Sequence, residues 1–390
     1  MVKVVVCVGG YSWIGILDFM FSCQGAFAHL PHDEYPQKPR RRLSNEAFRA
    51  ELLLDCFCIT TLVNHMKLLK IAASLISILL LSGMVYFYKG DLPIDYVDEK
   101  YSNVESQFLY MSNGARVHYR DEGDATKPVV VLVHGSNASL HTWEPWVAAL
   151  SKGYRVISMD LPGHGLTGAT PDQDYSSQAQ LNTVDAVVSH LKVESFVLGG
   201  NSMGGGVTWR YTLEHPEKVQ AMLLVDSSGL PQFRRKADDS AQETKARPLI
   251  FTLMRKPWFR SVAQYIDPYL LTVQGVKSAY NNSLVVTDEL IDRYYELGIR
   301  QGSRAATISR FSGFDTRRQE SVDLTQLNMP TLIMWGKEDA LIPVSVADQF
   351  AAVLEKGTLV IYEDVGHAPM EEIPERSAAD VILFLESIGI

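Results

Sequence analysis

Cysteine is absent from every position after His65; Cys7, Cys23, Cys56 and Cys58 are the full complement of the chain. A disulfide, a thiolate nucleophile and a cysteine-ligated metal are therefore excluded from the later and larger part of the protein. Cys56-x-Cys58 with His65 nearby matches no standard zinc spacing, and unpaired thiols account for it better. An excess of basic residues is also lacking. Lys and Arg total 36 against 45 Asp and Glu, a net charge of -9, whereas binding phosphates needs a basic surface. No nucleic-acid partner is expected. Hydrophobic residues at 46% and charged residues at 21% are ordinary for a globular chain. The length of 390 residues suits one enzyme-sized domain carrying an insertion.

Charge is missing locally as well, with none from Ile71 to Tyr88. At ~1.5 Å per helical residue this run spans about 27 Å, close to the hydrocarbon thickness of a bilayer. Tyr86, Phe87 and Tyr88 end it as interfacial aromatics do, and Lys67 and Lys70 flank its other end, with Arg40, Arg41 and Arg42 further upstream. The positive-inside tendency puts the N-terminal side in the cytoplasm and the catalytic region on the non-cytoplasmic side, periplasmic or extracellular. A run apolar all round argues against a buried core helix. No small-x-small cleavage site precedes the aromatics, so residues 66–90 are expected to be an uncleaved signal-anchor, a single N-terminal transmembrane helix. Residues 1–65 are an uncharacterised extension that carries no interpretable motif. Met66-Lys67-Leu68-Leu69-Lys70 looks like the start of an anchor sequence, and native translation from Met66 is the expectation.

What is present in the later region is an alternation of strands and helices. Residues 107–111 and 116–120 flank Ser112-Asn113-Gly114, a turn signal, and read as an antiparallel hairpin. The continuous apolar run 129–133 suits a strand buried on both faces. Strands at 154–159, 196–198, 221–225, 331–335 and 358–362 follow, with helices near 143–151, 177–191, 204–214 and 376–387. Such βα units imply one mostly parallel sheet with helices on both faces. The core is expected in two parts, 91–229 and 325–390. Between them, 230–324 is rich in aromatics, including Trp258, Tyr265, Tyr269 and Tyr294, and lacks convincing strands. It reads as a helical cap over the carboxyl ends of the strands, where open α/β sheets bind ligands. Thr287-Asp288-Glu289 opens one of its helices.

Within this frame, Phe196-Val197-Leu198-Gly199-Gly200-Asn201-Ser202-Met203-Gly204-Gly205 runs from a strand through Gly-x-Ser-x-Gly into a helix. That context is what a nucleophile elbow requires. Ser202 would stand clear of the sheet at a helix N-terminus, and the simpler alternative is an N-cap serine. A serine nucleophile needs a base, an orienting acid and oxyanion donors. His367 follows the last predicted strand and suits the base. Asp339 follows the preceding strand and suits the acid, with Asp226, at the end of 221–225, as the alternative. Glu338, beside Asp339, would point elsewhere. His164 reads as a loop histidine rather than a base, His134 as a brace for its loop, and Asn201 as a buttress of the turn. The oxyanion donors would be the backbone N–H groups of Ser136 and Met203, and Asn137 and Trp335 are candidate pocket-lining residues.

His134-Gly135, Asp160-Leu161-Pro162-Gly163-His164-Gly165, Gly200-Asn201-Ser202-Met203-Gly204-Gly205, Trp335-Gly336-x-x-Asp339 and Gly366-His367 together resemble the α/β-hydrolase superfamily. The resemblance runs from about Ser106 to the C-terminus, and the cap matches only in placement. It implies an eight-stranded sheet, a helical cap, no cofactor, no metal and a Ser-Asp-His triad. Serine at 202 departs from the epoxide hydrolases and haloalkane dehalogenases, which carry aspartate there. The elbow is similar to that of meta-cleavage product hydrolases, but His134-Gly135-Ser136-Asn137 is poorer in glycine than their loop. Carboxylic-ester hydrolysis of a small-molecule or apolar acyl substrate is therefore expected first, carbon–carbon hydrolysis second. Acyl transfer shares the acyl-enzyme half-reaction, and a non-catalytic binding module is disfavoured by the three matched residues.

Overall fold

The computed structural model describes residues 6–8, 11–13, 45–230, 256–281, 284–312 and 322–390. Most of the extension 1–65, and the parts of the expected cap at 231–255, 282–283 and 313–321, lie outside the described residues. The chain divides into two compact units, Met1–Leu79 and Leu80–Ile390. In the first, β1 (Val6–Val8) pairs antiparallel with β2 (Tyr11–Trp13), and the long helix α1 (Asn45–Phe87) begins. Within α1, Val63–Phe87 is long and apolar enough to cross a membrane.

The second unit opens with the end of α1 and with α2 (Ile94–Tyr101), then enters an eight-stranded sheet. Its strands are β3 (Ser106–Tyr110), β4 (Arg116–Glu122), β5 (Val129–Val133), β6 (Arg155–Met159), β7 (Phe196–Asn201), β8 (Val219–Val225), β9 (Thr331–Gly336) and β10 (Gly357–Tyr362). The spatial order is β10-β9-β8-β7-β5-β6-β4-β3. The expected hairpin forms with Gln107 opposite Tyr119, and β4 pairs antiparallel with β6. All other pairings are parallel. Parallel strands covered on both faces should be apolar throughout, and every residue of β7 and β9 is buried.

Two hydrophobic clusters fill the two sides of the sheet. One gathers Val131, Val133, Leu198, Leu224 and Trp335 with the helices α4 (Ser177–His190) and α5 (Met203–Glu214). The other gathers Val130, Leu132, Trp143, Trp146 and Leu223 with α3 (Glu144–Leu150) and the C-terminal helix. Alternate residues of β5 and β7 go to opposite clusters, as the two-residue period of a strand dictates.

The described part of the interruption between β8 and β9 is helical: α6 (Pro257–Ala263), α7 (Tyr269–Ala279), α8 (Asp288–Gly298) and α9 (Ser303–Ser312). Thr287 caps α8, its side chain accepting from the Leu290 N–H at 3.2 Å, and Asp288 and Glu289 complement the helix dipole. The chain then completes the sheet and adds α10 (Ser345–Val353), α11 (Pro369–Glu372) and α12 (Pro374–Ser387).

Candidate functional site

The ends of β5, β7, β8, β9 and β10 bring the sequence-derived residues to one edge of the sheet. At the end of β7 the chain turns sharply into α5, and Ser202 occupies φ 55°, ψ -115°, a region that L-residues other than glycine rarely adopt. The turn closes only because two flanking residues lack side chains. A Cβ on Gly200 would overlap the Gly204 carbonyl, and a Cβ on Gly204 would overlap the Val133 carbonyl. Main-chain bonds hold the strained residue in place: Ser202 N–H donates to the Val225 carbonyl at 3.0 Å, and its own carbonyl accepts from Ser228 N–H at 2.8 Å. Its side chain caps nothing, so the simple N-cap alternative does not describe it.

His367 and Asp339 meet in the loops after β10 and β9. His367 Nδ1 lies 2.7 Å from Asp339 Oδ2, both residues being buried. The other carboxylate oxygen of Asp339 accepts from Leu341 N–H at 2.7 Å and Ile342 N–H at 2.9 Å, which fixes the carboxylate plane. Asn201, next to Ser202, joins the two halves of the site. Its side-chain amide donates to the His367 carbonyl at 3.0 Å and to the Val225 carbonyl at 3.3 Å. The buttress thus reaches across to the histidine loop. Among the described residues no hydrogen bond joins the Ser202 hydroxyl to the His367 ring.

The loop after β5 lies against the elbow, since a Cβ on Gly135 would come within 3.2 Å of the Ser202 Cβ. His134 braces this loop. Its Nε2 accepts from Leu161 N–H at 3.0 Å, so Nδ1 carries the proton and donates to the Gly135 carbonyl at 2.7 Å. Burial holds the imidazole pKa down, against the raising effect of Asp160. Ser136 and Asn137 are exposed in the turn, and Asn137 adopts φ 60°. Met203 opens α5, where backbone N–H groups have no intrahelical acceptor.

Trp335 does not line a pocket. It is wholly buried among the side chains beneath β9, and its Nε1 donates to the Ile342 carbonyl at 3.0 Å. Although Trp335 is the penultimate residue of β9, its indole packs into the core because the strand is buried on both faces. Asn137, by contrast, borders a shallow recess with Ser139 and Thr142 of the core and Arg293, Tyr294 and Leu297 of the cap. His164 is a loop histidine, its Nδ1 donating to the Pro162 carbonyl at 3.0 Å. Burial, reinforced by the adjacent Arg310 guanidinium, puts its pKa well below the usual value.

Asp226, at the end of β8, stands beside Asp339. It is fully buried at φ 42°, and its Oδ1 accepts from Gly336 N–H at 2.9 Å. Asp226, Asp339 and His367 each place one polar side-chain atom within 4.8 Å of the others, a spacing open to a cation or to a shared proton. The electrostatics favour a protonated Asp226. Burial pushes the Asp226 carboxyl well above the usual range, and the neighbouring charge of Asp339 pushes it further. A neutral Asp226 avoids a second buried charge beside Asp339, and its other oxygen, Oδ2, is buried without a hydrogen-bond partner.

Contacts that no sequence pattern indicated tie the cap to this edge. His367 N–H donates to the Ala279 carbonyl, at the end of α7, at 2.7 Å. Glu372 accepts from Gly366 N–H at 2.8 Å and from Asn281 N–H at 3.1 Å, clasping the histidine loop to the cap. Glu371 pairs with Arg293 at 2.6 Å and accepts from Tyr280 and Thr142, each at 2.6 Å.

A parallel sheet with this strand order, interrupted after β8 by helices and carrying a strained serine at the β7–α5 turn, defines a class of enzyme fold. The chain belongs to the alpha/beta hydrolase fold family, whose model matches residues 128–374. It is 24% identical over 280 residues to Lipase 1 of Psychrobacter immobilis, covering 71% of this chain and 83% of the lipase. It is 28% identical over 279 residues to a 2-hydroxy-6-oxononadienedioate/2-hydroxy-6-oxononatrienedioate hydrolase of Klebsiella pneumoniae, covering 67% and 89%. Among solved structures, a membrane phospholipase A described as a bacterial virulence factor superposes with a TM-score of 0.54 at 23% identity, covering 84% of this chain and 98% of that one. Membership of this hydrolase family supports an enzyme.

Proposed function

We propose that the protein is a serine hydrolase that cleaves carboxylic esters through an acyl-enzyme on Ser202. In this reading His367 takes the Ser202 proton as general base, and Asp339 holds the imidazole with Nδ1 protonated and Nε2 towards the serine. The N–H groups of Ser136 and Met203 stabilise the oxyanion, and water then releases the acid. The observation that carries the proposal is the strained Ser202 turn, joined through Asn201 to the loop of a buried Asp339–His367 pair. A serine held at such a cost without reactive use would be replaced by glycine. The missing Ser202–His367 bond is consistent with the role, because catalytic contacts commonly tighten only around substrate.

Lipase 1 supports an ester substrate. The Klebsiella relative favours carbon–carbon bond hydrolysis as the second reading, with the same nucleophile and base. Acyl transfer differs only in the acceptor. The exposed apolar stretch Val63–Phe87 supports a membrane anchor, and Lys67 and Lys70 near its N-terminal end support a catalytic unit on the non-cytoplasmic side.

Purified protein should react with a fluorophosphonate probe and hydrolyse esters from a series of graded chain length. A folded protein that resists the probe counts against the triad. Turnover of a meta-cleavage dienoate in preference to every ester moves the assignment to carbon–carbon hydrolysis.

A further inference from the structure

The side of the cap formed by α6 and α7 is apolar where a water-facing surface should be polar. Trp258 is 64% exposed on α6, with Val262 one turn on. Tyr265 and Ile266 are exposed in the connecting turn, and α7 opens with Tyr269, Leu270 at 76% and Leu271 at 65%. Scattered exposed apolar residues need no explanation, but a run of aromatic and aliphatic side chains on two successive helices does. From 256 to 271 the only acidic residue is Asp267, and it is engaged: its carboxylate accepts from Tyr295 O–H and Tyr269 N–H, each at 2.9 Å.

The same segment receives the end of α1. Asp267 N–H donates to the Phe87 carbonyl at 2.8 Å, and Lys89 N–H donates to the Tyr265 carbonyl at 3.0 Å. Tyr88 bridges to Ile266, and its ring stacks on that of Tyr265 at 6.4 Å. Leu92 exchanges backbone hydrogen bonds with Ile299 and Gln301. Arg304 holds Asp91 at 2.6 Å and donates to the Lys89 carbonyl at 2.6 Å. The end of the apolar helix and the apolar face of the cap are therefore bonded into one structure.

We propose that the α6–α7 face is a bilayer-docking surface, immersed in the boundary between headgroups and acyl chains of the membrane that holds α1. The proposal rests on reading Val63–Phe87 as a membrane span. A lipid surface is the occupant because the patch continues the exposed Tyr86, Phe87 and Tyr88 at the end of that helix. Its chemistry is that of interfacial helices, with Trp258 and the leucines for the acyl boundary and exposed Lys256 for the headgroups. The other end of α7 carries the Ala279 carbonyl that binds His367 N–H, about 15 Å along the helix from Tyr269. A single helix thus joins the membrane surface to the histidine loop, which suits an ester drawn from the lipid phase.

The test uses the full chain reconstituted in phosphatidylcholine vesicles, with an environment-sensitive fluorescent amino acid placed at Leu75, Leu270 or Val104 in turn. Val104, 96% exposed in the turn between α2 and β3, serves as the aqueous control. Probes at Leu75 and Leu270 should be quenched by acyl-brominated lipid and shielded from iodide, and the probe at Val104 should behave oppositely. If Leu75 is quenched by lipid while Leu270 behaves as Val104, the anchor stands and the docking surface is wrong. If Leu75 is not quenched by brominated lipid, the anchor reading fails and takes the proposal with it. A Leu270 probe shielded from both quenchers means that protein covers the face, a second copy of the chain for instance, and also overturns it. As an independent readout, Leu270→Glu with Leu271→Glu should lower turnover of a long-chain ester in vesicles at least tenfold and leave a short soluble ester unaffected. Equal loss on both substrates would contradict docking.

Discussion

Among the described residues the protein contains two Ser–His–Asp arrangements, and they differ in how the serine is held. At the proposed site, Asp339 lies 2.7 Å from His367 Nδ1, and Ser202 stands at the adjoining elbow. Between β3, β4 and the loop after β6, Asp160 lies 2.7 Å from His118 Nδ1, and His118 Nε2 lies 2.9 Å from the Ser106 hydroxyl. By hydrogen bonding alone the second array is the more complete. Its serine, however, sits on an extended strand with both lone-pair directions engaged, by Asn103 N–H at 3.0 Å and Arg120 Nε at 3.4 Å. Asp160 is a structural anchor that also accepts from Leu140 N–H at 2.7 Å and Leu166 N–H at 2.8 Å. A hydrogen-bonded Ser–His–Asp triplet alone therefore does not mark a reactive serine; the strain at Ser202, absent at Ser106, is what favours the proposed site.

The comparison breaks most sharply on the serines. Ser202→Ala should lower kcat on any cleaved ester by about 10⁶, as removal of a serine-hydrolase nucleophile does, and Ser106→Ala should stay within about threefold of the parent. Steady-state kinetics on both variants decide it, and a large loss at Ser106 would reverse the assignment. The acids come next. Asp339→Asn should cost about 10⁴ in kcat by leaving the imidazole in the wrong tautomer, whereas Asp226→Asn keeps an acceptor for Gly336 N–H and adds no charge beside Asp339, and should cost far less. If Asp226→Asn is the more damaging, Asp226 is the catalytic acid.

At the second array the expected effect is on stability. Asp160→Ala strands His118 and two buried N–H groups, and should lower unfolding free energy by about 3–5 kcal/mol, measured in denaturant melts. The fraction that remains folded should still label with fluorophosphonate at Ser202.

The two acids also give opposite pH slopes. Burial alone would raise the Asp160 carboxyl, but its bond to His118 and the fields of His118, His134 and His141 outweigh this and hold it well below the usual range. The unfolded chain then binds the extra proton, so Asp160 contributes stability above about pH 4 that is lost as the pH falls through its native value. Asp226 is raised, so the folded state binds the proton and stability declines as pH rises from about 4 towards its native value. Asp226→Asn should therefore gain stability over the parent at neutral pH and lose that advantage below about pH 4. Thermal melts across pH 3–8 would show whether the two curves converge at the acid end. The smallest effect concerns strain: Ser202→Gly, relieving a positive φ, should raise unfolding free energy by about 1 kcal/mol while abolishing turnover. A loss of stability there would mean that Ser202 is not strained.

Much of the sheet was legible because a strand announces itself locally. Val129 to Val133 is apolar at every position, and Ser112-Asn113-Gly114 turns the chain between β3 and β4. The elbow was legible because Gly200 and Gly204 have no substitute at that turn. Trp335 was misjudged because its motif marks the strand while burial decides which way an indole packs. The Ser106 array carried no signal at all. Ser106, His118 and Asp160 are ordinary residues of a hairpin and a loop until antiparallel pairing of β4 with β6 brings them together.

Sequence alone determined the class of fold, the β7–α5 turn and the chain order of Ser202, Asp339 and His367, because periodicity and glycine sterics act over a few residues. The tertiary structure alone decided which acid pairs with His367, what Asn201 joins to Ser202 and which surface of the cap the end of α1 meets. These depend on groups such as Asn201 and His367, 166 positions apart in the chain, whose meeting depends on the whole sheet and no local pattern encodes.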